Sequence, residues 1–137
     1  MYKPSLNEAK KLLAKGNLIP VYKEINADLE TPVSAYLKVA KPPYSFLLES
    51  VEGGEQIARY SFIGTEPESL IVTGKNQKDG EIDPLILVEQ MLDKYQLVDS
   101  EDLPRFYGGA VGYLGYETVR YFEDLSMAKN DPLGLPE

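Results

Sequence analysis

The chain has 137 residues, the size of one domain or part of one; 43% are hydrophobic and 26% charged, which excludes a wholly disordered polymer. Its 14 Lys+Arg against 22 Asp+Glu leave a net charge of −8, so it repels phosphate backbones, and no nucleic-acid partner is expected. Cysteine and histidine are both absent, which removes disulfides, thiolate nucleophiles, imidazole catalysis and Cys- or His-ligated metals.

The first element is a helix. Ser5 followed by Glu8 forms a capping box, Leu6, Ala9 and Leu13 share a face, and Lys10, Lys11 and Lys15 suit the later turns. Gly16-Asn17 predicts a left-handed stop. Residues 18–25 alternate as a strand, and Thr31-Pro32 opens a second helix that Pro42-Pro43 cannot continue. Residues 44–51 and 56–63 form a predicted hairpin around Glu52-Gly53-Gly54-Glu55. A turn at residues 64–67 leads to a strand over 69–73, and residues 74–80 make a polar loop. Asp83-Pro84 starts the clearest helix, with Leu85, Val88, Met91, Leu92 and Tyr95 at helical spacing.

After an acidic connector over residues 97–105, residues 106–116 make a glycine-punctuated aromatic strand, and 117–123 a short helix. Helix followed by strands recurs three times, which predicts a layered α+β architecture with mostly antiparallel pairing. The aperiodic ending, residues 124–137, is expected to lead into a further element, making this the N-terminal piece of a longer chain. No apolar run approaches the roughly 18 residues of a membrane span, and Met1-Tyr2-Lys3-Pro4 opens no signal-peptide core. The expected location is the cytoplasm, with no membrane partner.

Without His or Cys, acid–base chemistry would fall to Asp, Glu, Lys or Tyr, and no spacing selects a carboxylate pair. Gly108-Gly109-Ala110-Val111-Gly112-Tyr113-Leu114-Gly115 lacks the pattern of a phosphate loop and fits a strand packed closely on another backbone. No catalytic or metal-ligating residue is assigned. One constellation stands out: Leu48, Glu49 and Ser50 end an apolar strand, and Arg59 begins the segment that returns beside it. Strand alternation puts Phe46, Leu48 and Ser50 on one face and Leu47 with Glu49 on the other unless a bulge intervenes. Such a set could hold a zwitterion, with Glu49 on the ammonium and Arg59 or backbone amides on the carboxylate. An ordinary hairpin with an exposed Glu–Arg pair fits the same residues.

Leu47-Leu48-Glu49-Ser50, Arg59-Tyr60-Ser61-Phe62-Ile63-Gly64 and Gly108-Gly109-Ala110-Val111-Gly112-Tyr113, in that order, resemble the N-terminal region of anthranilate synthase component I. Pro20-Val21-Tyr22 and Thr31-Pro32-Val33-Ser34-Ala35-Tyr36 also look like that family, so the resemblance runs from about Asn17 to the end. It implies an α/β/β/α sandwich with orthogonally packed, mostly antiparallel sheets, of which residues 1–137 are the regulatory part. It implies a parent lyase that makes anthranilate and pyruvate from chorismate and ammonia in the first step of L-tryptophan biosynthesis. Magnesium and the chorismate residues belong to a C-terminal region lacking here, and the ammonia comes from a glutamine amidotransferase subunit. By the family motif, Leu48, Glu49 and Ser50, with Arg59, line a site where L-tryptophan binds and inhibits. An isolated N-terminal part is expected to self-associate through its uncovered sheet. The related aminodeoxychorismate synthase component I shares parts of the pattern, and a stand-alone amino-acid-binding module is the alternative outside these enzymes.

Overall fold

Helix caps, proline positions and one strand pair organise the chain locally. A computed structural model describes residues 1–49, 60–99, 103–104, 106–126 and 133–137. Their elements are α1 (Leu6–Leu12), α2 (Pro32–Val39), β1 (Ser45–Glu49), β2 (Ser61–Thr65), α3 (Pro84–Leu92) and a 3-10 helix (Tyr116–Tyr121). The fold is a small mixed α/β arrangement whose one described sheet is the antiparallel pair β1–β2. The chain divides into two units, Ile25–Leu70 and Met1–Glu24 with Ile71–Glu137.

In the unit of residues 25–70, Thr31 caps α2 by accepting from the Ser34 amide at 3.1 Å, while Ser34 Oγ accepts from the Thr31 amide at 2.9 Å. Pro32 occupies the first turn, where its missing N–H leaves nothing unsatisfied. Lys38 reaches back to Glu30, and this bond, followed by one from Ser34, holds the Glu30 carboxyl below its ordinary range. β1 and β2 pair in continuous register from Ser45↔Thr65 to Glu49↔Ser61, with no bulge. β2 runs through Gly64 and Thr65, where a turn was expected, and Glu66 takes the left-handed conformation at φ 52°. Gly64 stays in the strand because the Phe46 ring lies across it: an added Cβ would stand 2.1 Å from Phe46 Cε1.

The other unit is held at seams. Ser5 and Glu8 make both halves of the expected capping box, with the Ser5 amide donating to Glu8 Oε2 at 2.8 Å. Gly16 does not supply a left-handed stop; α1 ends earlier, at the right-handed cap Leu13. Gly16 instead permits close approach, since a Cβ there would sit 2.3 Å from the Gln96 carbonyl oxygen. Asn17 completes the clamp by donating from Nδ2 to the Lys94 carbonyl at 2.8 Å and accepting from the Gln96 amide at 2.6 Å. In α3, Asp83 accepts from the Leu85 amide at 2.9 Å and Pro84 is buried at the start, as the sequence predicts. At the chain end, the Glu137 amide donates to the Thr73 carbonyl at 2.9 Å, and its carboxylate takes Arg120 at 2.9 Å and the Tyr121 hydroxyl at 3.2 Å. Arg120 also reaches Glu81 at 3.2 Å.

Three expected strands have no ladder among the described residues. Residues 18–25 make only isolated bridges, Leu18↔Leu97 and Lys3↔Tyr22; 69–73 and 106–116 make none. Alternation specifies a pleated surface, but a strand needs a neighbour to bond. The helix expected over 117–123 is the 3-10 turn over Tyr116–Tyr121. The turn at Glu52-Gly53-Gly54-Glu55 lies outside the described residues. Among those described, Val98, 7% exposed, is the only buried aliphatic or aromatic side chain apart from Pro84.

Two predictions follow from the seams and caps. Replacing Gly16 by Ala drives a methyl into backbone and is expected to cost about 1–3 kcal/mol, whereas Gly108→Ala, which meets open space, stays within about 0.5 kcal/mol. Urea unfolding of the two variants beside the native chain measures both. The Glu8 carboxyl is held below its ordinary range by the Ser5 hydroxyl first and the Ser5 amide second. A folded pKa lower than the unfolded one stabilises the cap above the unfolded pKa, and the benefit is lost as pH falls through the folded value. An NMR titration should therefore find the Glu8 midpoint below that of an ordinary glutamate, and Ser5→Ala should raise it.

Candidate functional site

The continuous register sorts the hairpin into two faces. Ser45, Leu47, Glu49, Ser61, Ile63 and Thr65 share one; Phe46, Leu48, Phe62, Gly64 and, by alternation, Tyr60 share the other. α2 packs on the first face, where the Tyr36 and Ser45 hydroxyls lie 2.9 Å apart. The second face is apolar and aromatic. Leu48 stands opposite Phe62, and Tyr60 stacks on Phe62 with ring centroids 6.2 Å apart and planes at 27°.

Of the four residues singled out by sequence, the structure places two. Leu48 lies on the aromatic face and is 49% exposed; Glu49, also exposed, ends β1 on the α2 side, opposite Ser61. Without a bulge, the two side chains leave the strand in opposite directions. A ligand touching both must straddle the strand end. Ser50 and Arg59 lie outside the described residues. Sequence reasoning passed over Tyr60, 53% exposed at the same end as Leu48. The signal was present in Tyr60-Ser61-Phe62, whose spacing of two places both rings on one face.

The resulting surface combines a half-exposed apolar end with a nearby exposed carboxylate, which suits a small amphipathic cation or zwitterion. Among the described residues, no group of three or more acidic side chains is placed to hold a metal ion. No described helix is long and apolar enough to cross a membrane. An open groove of about 490 Å3 along α3 is lined by Leu85, Ile86, Val88 and Leu92 with Glu89 and Asp93, and is too open to enclose a small ligand. In the glycine segment, Gly115 makes the expected close backbone approach, 3.1 Å from Glu137 Cα to an added Cβ; Gly108 and Gly112 face open space.

No family model matches the chain, and no solved structure matches it. Curated relatives do. The chain is 40% identical to anthranilate synthase component 1 of Acetivibrio thermocellus over 147 residues, covering 100% of this chain and 30% of that protein. It is 44% identical to anthranilate synthase component 1 of Neisseria gonorrhoeae, covering 88% of this chain and 28% of the relative. It is also 44% identical to a probable anthranilate synthase component 1 of Schizosaccharomyces pombe, with 98% of this chain and 27% of the relative covered. The chain thus spans under a third of the length of the curated relatives it matches. It belongs to the anthranilate synthase component 1 family, and the part it represents is the N-terminal region.

Proposed function

We propose that this chain is the tryptophan-sensing, non-catalytic portion of an anthranilate synthase component 1. The supporting observation is its 40–44% identity to proteins of that name, together with a hairpin whose apolar face ends beside a carboxylate. L-Tryptophan complements that surface. Its indole suits Leu48, its ammonium suits Glu49 reached around the strand end, and its carboxylate falls to Arg59 or backbone amides, with Ser50 completing the set. The complete enzyme, a cytoplasmic lyase, converts chorismate and glutamine-derived ammonia to anthranilate and pyruvate in the first step of L-tryptophan biosynthesis. The catalytic residues, the magnesium and the residues that hold chorismate belong to the remainder of the relatives' length. A glutamine amidotransferase subunit delivers the ammonia.

The layered α/β/β/α sandwich is part of this proposal. α2 covers one face of the hairpin, and on the other face Leu48 and Tyr60 are half exposed. A second sheet from the remainder of the full-length protein covers that face, and in the isolated chain a second copy takes its place. Tryptophan then inhibits by population shift, binding an inactive arrangement of the two parts more tightly than the active one.

The chain contains ten Tyr and no Trp, so indole emission excited at the red edge arises from ligand alone. Titration with L-tryptophan is expected to saturate, and D-tryptophan to bind more weakly. Glu49→Gln removes a charge-assisted bond of about 1.5–3 kcal/mol and should weaken L-tryptophan at least about tenfold. Equal binding of the two enantiomers, or an unchanged affinity in Glu49→Gln, would refute the proposed site.

A further inference from the structure

Tyr60 lies on the sheet face that carries Leu48 and Phe62, opposite the face of Glu49. It begins the described return segment, one residue before β2, on the face that α2 leaves open, and it is 53% exposed. Its ring is not loose. It stacks on Phe62 at 6.2 Å, and Phe62 is itself fixed as the cross-strand partner of Leu48. Tyr60 and the 49% exposed Leu48 therefore present adjoining apolar surfaces, one aromatic and one aliphatic, at the same end of one sheet face.

We infer that Tyr60 is the specificity-determining residue of this site, the contact that selects an aromatic over an aliphatic amino acid. The inference rests on the proposed amino-acid site. Glu49 recognises an ammonium that every amino acid carries, and Leu48 offers a surface that any apolar side chain can cover. Neither discriminates a ring. Tyr60 does, because its π-face and ring edge reward a flat, quadrupolar partner in offset or edge-to-face geometry. Its prior stacking on Phe62 also means that little side-chain freedom is lost when the ligand arrives. The consequence is a division of labour: Glu49 sets affinity for amino acids as a class, and Tyr60 sets the ranking among them.

The ranking is the readout that a merely structural role would not move. The 137-residue chain is titrated with L-tryptophan by indole emission and with L-leucine by displacement, in native, Tyr60→Phe, Tyr60→Leu and Tyr60→Ala forms. Tyr60→Phe, which keeps the ring, is expected to hold the native tryptophan-to-leucine preference within about twofold. Tyr60→Ala and Tyr60→Leu should each compress that preference by about tenfold or more, the Leu variant keeping bulk and fold where Ala disturbs them. Glu49→Gln should weaken both ligands by the same factor and leave the preference intact. A preference that survives in Tyr60→Leu overturns the role of Tyr60 while leaving the amino-acid site standing. A native chain that binds neither ligand overturns both together.

Discussion

A slip of one residue between β1 and β2 would send every side chain of one strand to the opposite face. Phe46 and Gly64 oppose that slip. The Phe46 ring occupies the volume where a Cβ at position 64 would stand, and a shift either way would bring it against Ile63 or Thr65, both branched at Cβ. With the register set, the Tyr36–Ser45 hydroxyl contact belongs to the helix-covered face, and Phe46, Leu48, Tyr60 and Phe62 gather on the other. The separation of Leu48 from Glu49 follows from the same constraint. Any ligand shared by those two residues must use the end of the strand, where a side chain from either face can be reached.

Among the described residues, little apolar surface is fully withdrawn from water. Fully burying a Leu or Phe side chain contributes about 1.5–3 kcal/mol relative to leaving it exposed. Among the described residues Val98 comes nearest to that gain, while Leu48 and Tyr60 in one unit are half exposed and Tyr113 and Tyr116 in the other are largely exposed. Polar seams do not make up the difference. The Asn17 clamp on Lys94 and Gln96, and the Thr73–Glu137–Arg120 cluster, offer hydrogen bonds worth about 0.5–1.5 kcal/mol each when neutral, somewhat more when charged. They fix where backbone segments meet and bury little apolar area. The proposed covering sheet addresses this imbalance on the hairpin face.

What the sequence made legible is what depends on neighbours a few residues away. Ser5 with Glu8, Thr31 with Ser34, and Asp83 before Pro84 are contained within single helical turns, and each cap forms where the spacing puts it. The pairing of β1 with β2 was legible for a related reason: the two apolar segments are neighbours in sequence. Gly16 was misread because its requirement is imposed by Gln96, eighty positions away, and no local pattern carries that information. The segments at 18–25, 69–73 and 106–116 alternate like strands, yet alternation describes two faces and leaves the hydrogen-bonding edges unspecified. At the candidate site, the carboxylate and the apolar strand end were legible. Tyr60 emerged only when its stacking on Phe62 and its side of the sheet were both fixed.

On the proposed reading, sensing and assembly would meet on the same surface. On that reading, the open face of the hairpin must be covered by the rest of the enzyme, and the ligand must lie at one end of that face. Both then draw on the exposed area of Leu48 and Tyr60. Two partners that bury adjoining parts of one surface are thermodynamically linked: whatever the ligand does to the fit of the cover, the cover does to the affinity of the ligand. A coupling of about 1–3 kcal/mol, the usual range, corresponds to burying or exposing about 40–120 Å2 of apolar surface. One or two half-exposed side chains supply that much. In the proposed enzyme the hairpin would then carry a regulatory signal without any large motion of its own, provided that the cover packs differently around an occupied and an empty end.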